Sequence, residues 1–171
     1  LNDRQAQQTF IRTVVDRSAQ LGAKGINLDF EGMRGSDRSI FTQFVRDFAA
    51  AAHEKGLLFS IDLPRGSVRW NHQTAFDHAE LANIADYIVI MAYDQYYSGS
   101  TEPGPVSAPA WAEEGVREFL SYGIPRSKLI LGIPFYIRQW KLDANGKLAG
   151  NSAIFASSVR ELLETYPHTK Q

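Results

Sequence analysis

Segments with helical periodicity alternate strictly with short β-like segments along almost the whole of this chain of 171 residues. In the helical segments apolar residues recur about every three to four positions, whereas in the β-like segments they alternate with polar residues or form short runs. Parallel strands need crossovers about as long as these helical segments, so the alternation predicts a parallel α/β sheet covered by helices. The predicted helices occupy about residues 3–21, 36–55, 76–85 and 109–122, and the predicted strands occupy residues 25–31, 57–64, 87–93 and 128–136.

The number of strands leaves two folds open. Four strands in 171 residues are about half of a closed (β/α)8 barrel, which typically needs about 250 residues. An open, doubly wound sheet has the same alternation, but no strand here is followed by the Gly-rich phosphate loop typical of its nucleotide-binding members. Beyond the fourth strand, Asn145-Gly146 predicts the turn of a small hairpin, and a last helix is predicted from about Ser152 to Tyr166.

Composition excludes several classes of function. The 18 Lys and Arg residues nearly balance the 19 Asp and Glu residues, so the chain lacks the basic field that binds nucleic acid. There is no cysteine and the four histidines show no ligand spacing, so we expect neither a metal site nor a cofactor. No apolar run reaches the roughly 18 residues of a membrane span. The chain begins on Leu1, which we interpret as the start of a piece of a longer protein.

The first predicted strand carries the most informative polar residues. In "GINLDFE", residues 25–31, apolar side chains alternate with Asn27, Asp29 and Glu31, so these three share one face. One interpretation is that the carboxylates are simply solvated or paired with Arg34. The other uses their spacing of roughly 7 Å along a strand, at which two ionised carboxylates repel and Glu31 would keep a proton, as a general acid does. Spacing alone favours neither interpretation.

The same segment resembles the signature of glycoside hydrolase family 18, the chitinase-like family, which is written D-G-x-D-x-D-x-E. In "GINLDFEG", Glu31 takes the acid position, Asp29 the last aspartate and Asn27 the middle one, while Lys24 replaces the leading aspartate. Such N-x-D-[FW]-E-G variants look like the branch of the family that contains bacterial spore-cortex lytic enzymes and related peptidoglycan hydrolases.

Two further segments are similar to motifs of the same family. The sequence "MAYD", from Met91 to Asp94, is similar to the M-x-Y-D motif at the end of the sixth barrel strand, and residues 104–136 resemble the run into the seventh. The resemblance implies a partial (β/α)8 barrel, about strands four to seven, and one partial catalytic domain over residues 1–171. It also implies that Met91, Tyr93 and Asp94 contact substrate. Without it, Met91 and Tyr93 would be interpreted as core residues.

The resemblance implies hydrolysis of β-1,4 bonds next to N-acetylglucosamine in chitin or peptidoglycan. In this family the substrate's own acetamido oxygen attacks the anomeric carbon, and the configuration is retained. Glu31 would protonate the leaving oxygen, Asp29 would accept a hydrogen bond from the acetamido N–H, and Tyr93 would hold the acetamido oxygen. Asn27 would hold an ionised Asp29. One alternative is a sugar-binding relative without activity, although such proteins usually lack the acid that Glu31 supplies, and another is an inactive fragment of the enzyme. A secreted, cell-wall or spore-associated location would follow.

Aromatic residues after the predicted strands could stack against sugar rings. Tyr96 and Trp140 are the main candidates, and Tyr136 and Trp70 are further ones. A half-barrel would also leave two sheet edges unpaired, so the chain is expected to self-associate or to be only marginally stable alone.

Overall fold

A computed structural model describes residues 1–65 and 74–165 of the chain. The described residues form two compact units, the first from Leu1–Met91 and Glu114–Gly132 and the second from Ala92–Glu113 and the residues from Ile133 onward. The helices and strands in chain order are α1 (Arg4–Gln20), β1 (Gly25–Leu28), α2 (Arg38–Glu54), β2 (Leu58–Pro64), α3 (His78–Ile84), β3 (Tyr87–Met91), α4 (Pro109–Ser121), β4 (Leu129–Leu131), β5 (Tyr136–Leu142), β6 (Leu148–Phe155) and α5 (Val159–Thr165).

The first unit contains a parallel sheet of the strands β1, β2, β3 and β4 in that order. Asn27 pairs with Ser60 and Asp62 pairs with Val89, and paired residues of parallel strands project to the same face. Each strand lies beside its successor without the reversal of order that marks a doubly wound sheet, so the order is that of a barrel segment. The predicted parallel α/β sheet is confirmed. Among the described strands, β1 and β4 form its two edges.

Helices cover one face of this sheet and form the core of the first unit. In β2 the side chains of Phe59, Ile61 and Leu63 are fully buried on that face. Ser60 and Asp62 alternate with them and are half-buried on the other face. Burying each large apolar side chain contributes about 1.5–3 kcal/mol, so the helix-covered face carries the stability and the other face can hold polar groups. The helical side of the core comes mainly from α2, through Phe41, Phe44, Val45, Phe48, Ala49 and Ala52.

Two helices of this unit begin at aspartate side chains. Asp3 accepts a hydrogen bond from the Ala6 amide at 2.9 Å at the start of α1. Asp77 accepts one from the Glu80 amide at 3.3 Å at the start of α3, and Arg38 at the start of α2 forms a salt bridge with Asp77 at 3.0 Å. Because free amides at a helix start need acceptors, these caps fix where the helices begin.

The second unit contains an antiparallel hairpin of β5 and β6. Its turn includes the predicted Asn145-Gly146. The predicted boundaries of β4, in the first unit, and of the last helix are wrong. The strand predicted over residues 128–136 ends at Leu131, and the last helix begins at Val159 because Ser152 is part of β6. A short apolar run fits a helix or a strand equally well, and the pairing with β5 decides between them.

Candidate active site

The polar residues of the first strand lie at the carboxyl end of β1. The strand ends at Leu28, before the predicted Glu31, so Asp29 and Glu31 stand in the segment just beyond it. Ile26 and Leu28 are buried, whereas Asn27, Asp29 and Glu31 are exposed. The predicted separation of apolar and polar side chains onto opposite faces is therefore confirmed. Residues 29–31, the last three of the predicted strand, lie beyond the end of β1.

Phe30 anchors the segment that carries the two carboxyl groups. Its ring stacks on Phe44 of α2 with the centroids 5.7 Å apart and the planes at 19°, and it lies 6.1 Å from the ring of Phe10 of α1. Asp29 and Glu31 directly flank Phe30. Packing of one ring against two helices therefore fixes the backbone from which both carboxylates project.

No cation of the described residues forms a salt bridge with the carboxyl group of Asp29 or Glu31. Among the described residues neither group forms a salt bridge or a hydrogen bond, so the pairing with Arg34 is absent. The Arg34 amide donates instead to Asp37 at 3.1 Å. Gly32 follows Glu31 with φ of 68°, a backbone conformation that glycine adopts without strain. The turn at Gly32 changes the direction of the chain directly after Glu31, the proposed acid.

Asn27 links β1 to β2 through two side-chain hydrogen bonds. Its Nδ2 donates to Asp62 Oδ1 at 2.9 Å, and its Oδ1 accepts from Ser60 Oγ at 2.6 Å. Within the described part of the chain, both bonds go to β2 and none goes to Asp29, the partner expected from the sequence. Asn27 is therefore a bridge between strands.

Asp62 is a candidate that sequence reasoning missed. Burial raises the pKa of this carboxyl group, the hydrogen bond from Asn27 opposes that effect, and the negative charge of Asp29 raises the pKa further, so it lies above its ordinary value. The alternation of β2 would place Asp62 on the same face as Ser60. Its proximity to the first strand was hidden because 35 positions separate Asn27 from Asp62.

The second unit brings Tyr93, Asp94 and Tyr136 together. The Tyr136 hydroxyl donates to Asp94 Oδ1 at 2.6 Å, and the Tyr93 ring meets the Tyr136 ring edge-on at a centroid distance of 6.4 Å. Burial raises the pKa of Tyr136 and its bond to the Asp94 carboxylate raises it further, so the hydroxyl remains a donor. Asp94 has φ of 57°, which is uncommon outside glycine. Met91, which ends β3 in the first unit, is buried.

Tyr96 and Trp140 are both fixed against the backbone of Gly104 in the second unit. The Trp140 Nε1 donates to the Gly104 carbonyl oxygen at 2.9 Å. A Cβ atom added to Gly104 would lie 2.2 Å from Cδ2 of Tyr96, so only glycine allows that ring to sit there. Because the polar edge of Trp140 is engaged, its ring face is the part that can contact a sugar.

Three further predictions concern Trp70, a metal site and a membrane span. Trp70, the remaining aromatic candidate, lies outside the described residues. Within residues 1–65 and 74–165, no three His, Cys, Asp or Glu side chains are grouped as a metal ion requires. No helix in those ranges is both long and apolar enough to cross a membrane.

Comparison with known proteins decides the family. Residues 1–169 match the family described as "Glycosyl hydrolases family 18". The chain belongs to glycosyl hydrolase family 18. This membership confirms the resemblance found in the sequence.

Relatives within family 18 include enzymes named for two substrates. The cortical fragment-lytic enzyme of Bacillus subtilis is 30% identical over 147 residues, which are 83% of this chain and 33% of that protein. Chitinase 1 of Aphanocladium album is 30% identical over 155 residues, which are 79% of this chain and 36% of that protein. The chain thus spans about a third of the length of these curated relatives.

A solved chitinase from Chromobacterium violaceum shares the fold of this family-18 chain. The two structures have a TM-score of 0.84 and 27% sequence identity, over 95% of this chain and 50% of that one. The predicted partial barrel is therefore confirmed as the α/β architecture of about half of a family-18 chitinase.

Proposed function

We propose that this chain is part of the catalytic domain of an enzyme that hydrolyses β-1,4 glycosidic bonds next to N-acetylglucosamine in peptidoglycan or chitin. The observation that supports this most is the environment of Glu31. Its carboxyl group is exposed just beyond β1, two residues from Asp29, and has no salt bridge among the described residues. A general acid needs this access, because it must reach the oxygen of the leaving sugar.

The proposed reaction uses the substrate as its own nucleophile. Glu31 donates its proton to the glycosidic oxygen while the acetamido oxygen attacks the anomeric carbon, so the glycosidic bond breaks and a cyclic oxazolinium ion forms. Asp29 accepts a hydrogen bond from the acetamido N–H and offsets the positive charge. The Glu31 carboxylate then takes a proton from the water that opens the ring. The two displacements together retain the anomeric configuration.

Tyr93 and Asp94 are proposed to bind the sugar at the cleaved bond. The Tyr93 hydroxyl would hold the acetamido oxygen in line with the anomeric carbon. Asp94 would accept hydrogen bonds from ring hydroxyls through Oδ2, since its Oδ1 already accepts the Tyr136 hydroxyl. Tyr136 then fixes the orientation of Asp94. Met91, at the end of β3, is proposed as a further substrate-binding residue, because it belongs to the same sequence motif.

Tyr96 and Trp140 are proposed to bind further sugars by stacking, because both side chains lie against Gly104 and sugars present apolar C–H faces. Chitin and peptidoglycan are wall polymers. The proposed location is therefore outside the cell, in a wall or a spore, which agrees with the name of the Bacillus subtilis relative.

The first experiment compares the protein at its full natural length with its Glu31→Gln variant. Cortex peptidoglycan and chitin oligosaccharides are digested, products are identified by mass spectrometry, and the first anomer is identified by NMR. Removing the acid should lower kcat by about 100-fold or more, and the wild-type product should keep the β configuration. Glu54→Gln, which changes an exposed glutamate at the end of α2, is the matched control.

Each alternative gives a different result. Equal cleavage by the wild type and Glu31→Gln would show that Glu31 is not the acid. Binding of either glycan without product from the wild type would identify a sugar-binding relative that lacks activity. A product that first appears as the α anomer would exclude the acetamido mechanism.

A further inference from the structure

We propose that Asp62 is a positioning residue of this reaction and that it works in its protonated form, holding the ionised Asp29 towards the acetamido group of the substrate. This inference rests on the proposed function, because it takes the role of Asp29 from there. It adds a third carboxyl group, on a different strand, to the two of the sequence motif.

The sheet register places Asp62 beside the segment that carries Asp29. Asn27 pairs with Ser60, and the two aspartates each lie two residues further along their own segments. Neighbouring strands are about 4.8 Å apart, so side chains at equivalent positions of adjacent strands can contact each other. The charge of Asp29 acts on Asp62, as this arrangement requires.

The hydrogen bonds around Asn27 orient the Asp62 carboxyl group. Ser60 Oγ bonds to the amide oxygen of Asn27, which turns the amide nitrogen towards Asp62 Oδ1. In the described part of the molecule, Asp62 Oδ2 forms no hydrogen bond. One oxygen of Asp62 is thus held by an amide donor, and the other can carry a proton and donate it in a hydrogen bond.

The charges on the uncovered face of the sheet favour the state in which Asp29 and Asp62 together hold one proton. On the uncovered face, β3 contributes Tyr87, Val89 and Met91 beside Asp62, and β1 contributes the neutral amide of Asn27. Asp29 is the charged group that acts on Asp62, and both burial and that charge raise the pKa of Asp62. Two carboxylates without a cation between them repel, and protonation of one removes the repulsion.

The proton on Asp62 is distinct from the one that is transferred in the reaction. It comes from solvent, resides on Asp62 Oδ2 and stays there through both displacements. Glu31 gives its own proton to the leaving oxygen and regains one from water. Because Asn27 carries an amide, it cannot bind a proton in place of Asp62. Asp29 therefore keeps its full negative charge opposite the oxazolinium ion while a neutral donor holds it.

The test compares Asp62→Asn and Asp62→Ala in the protein at its full natural length. An asparagine at this position imitates protonated Asp62, since its oxygen can accept from Asn27 and its nitrogen can donate to Asp29. We expect Asp62→Asn to keep kcat within about 3-fold of the wild type at mildly acidic pH, and Asp62→Ala to lose about 100-fold in kcat with little change in KM. Asp16→Asn, which changes a half-exposed carboxylate on α1, is the control.

Two outcomes of the kinetics would overturn the inference. If Asp62→Asn loses as much activity as Asp62→Ala, a charge and not a proton is needed at this position. If Asp62→Ala retains the wild-type kcat, Asp62 has no positioning role. A loss of folding in Asp62→Ala would be visible in its thermal unfolding. The test would then compare only the kcat of Asp62→Asn with that of the wild type.

A titration without substrate separates this inference from the proposed function. Carbon-13 NMR of the aspartate carboxyl groups should show that Asp29→Asn lowers the pKa of Asp62, because a neighbouring negative charge is removed. An unchanged Asp62 titration would overturn the inference even if hydrolysis depends on Glu31. Coupled titrations in a protein that cleaves neither glycan would instead overturn the proposed function, and with it the role of Asp62 in catalysis.

Discussion

At the scale of single residues, Asp62 links stability to pH. Its pKa is raised in the folded protein, mainly by burial, so the folded state binds a proton more tightly than the unfolded state does. The stability from this proton is present at acidic pH and is lost as pH rises through the folded pKa. We therefore predict that Asp62→Asn increases the free energy of unfolding relative to the wild type at pH 7, measured by urea denaturation, and that the gain shrinks towards pH 4.

The control for this prediction is Asp16→Asn, whose carboxylate lies in an exposed salt bridge with Lys55. Such pairs contribute about 0–1 kcal/mol, so this variant should be equal to or slightly less stable than the wild type at pH 7. A pH-independent difference between Asp62→Asn and the wild type would contradict the prediction.

At the scale of elements, the packing of Phe30 joins the active segment to α1 and α2. Phe30 is partly buried, so Phe30→Ala should cost about 1–3 kcal/mol of stability, less than a fully buried phenylalanine. We predict that it also lowers kcat for glycan hydrolysis by about 10-fold or more, because Asp29 and Glu31 on either side lose their fixed backbone. Urea denaturation and steady-state kinetics check the two effects.

Phe10→Ala separates the loss of stability from the loss of positioning. Phe10 belongs to the same aromatic cluster, with its ring 5.9 Å from Phe48 and 6.2 Å from Phe44, but it lies on α1. Its ring also contacts Phe30 at a centroid distance of 6.1 Å but is 42% exposed, so Phe10→Ala should lose less stability than Phe30→Ala and lower kcat by a smaller factor at a temperature where both variants are folded. Equal losses of kcat in the two variants would show that the packing of Phe30 acts only through stability.

The sequence predicts those structural features that depend on local patterns, and it does not predict those that depend on contacts between residues far apart in the chain. The alternation of buried and exposed residues in β1 and β2 depends on local pattern, so the parallel strands and the exposed Asp29 and Glu31 were predictable. The bond between Asn27 and Asp62 depends on pairing between strands, which no local pattern shows. Ser152 was assigned to a helix for the same reason, since only its pairing in the hairpin makes it part of a strand.

At the scale of the whole molecule, the open sheet of the first unit determines how the chain behaves alone. Both edge strands lack a neighbour on one side among the described strands, and unpaired edges are templates for association. Ile130 and Leu131 of β4 are 46% and 44% exposed, and Leu58 on the uncovered face is 48% exposed. The chain covers about a third of its curated relatives, so in a longer protein further strands could cover these residues.

We predict that residues 1–171 expressed alone associate in a concentration-dependent manner, because pairing at β4 would satisfy its free backbone groups and bury Ile130. Sedimentation velocity over a range of concentrations should show species larger than a monomer. Ile130→Lys should shift the distribution towards the monomer, since a charge at an edge strand opposes pairing. Glu54→Lys, a change to lysine at an exposed helix end, should leave association unchanged. A monomer at all concentrations would mean that the open edges and the exposed apolar residues are tolerated in water.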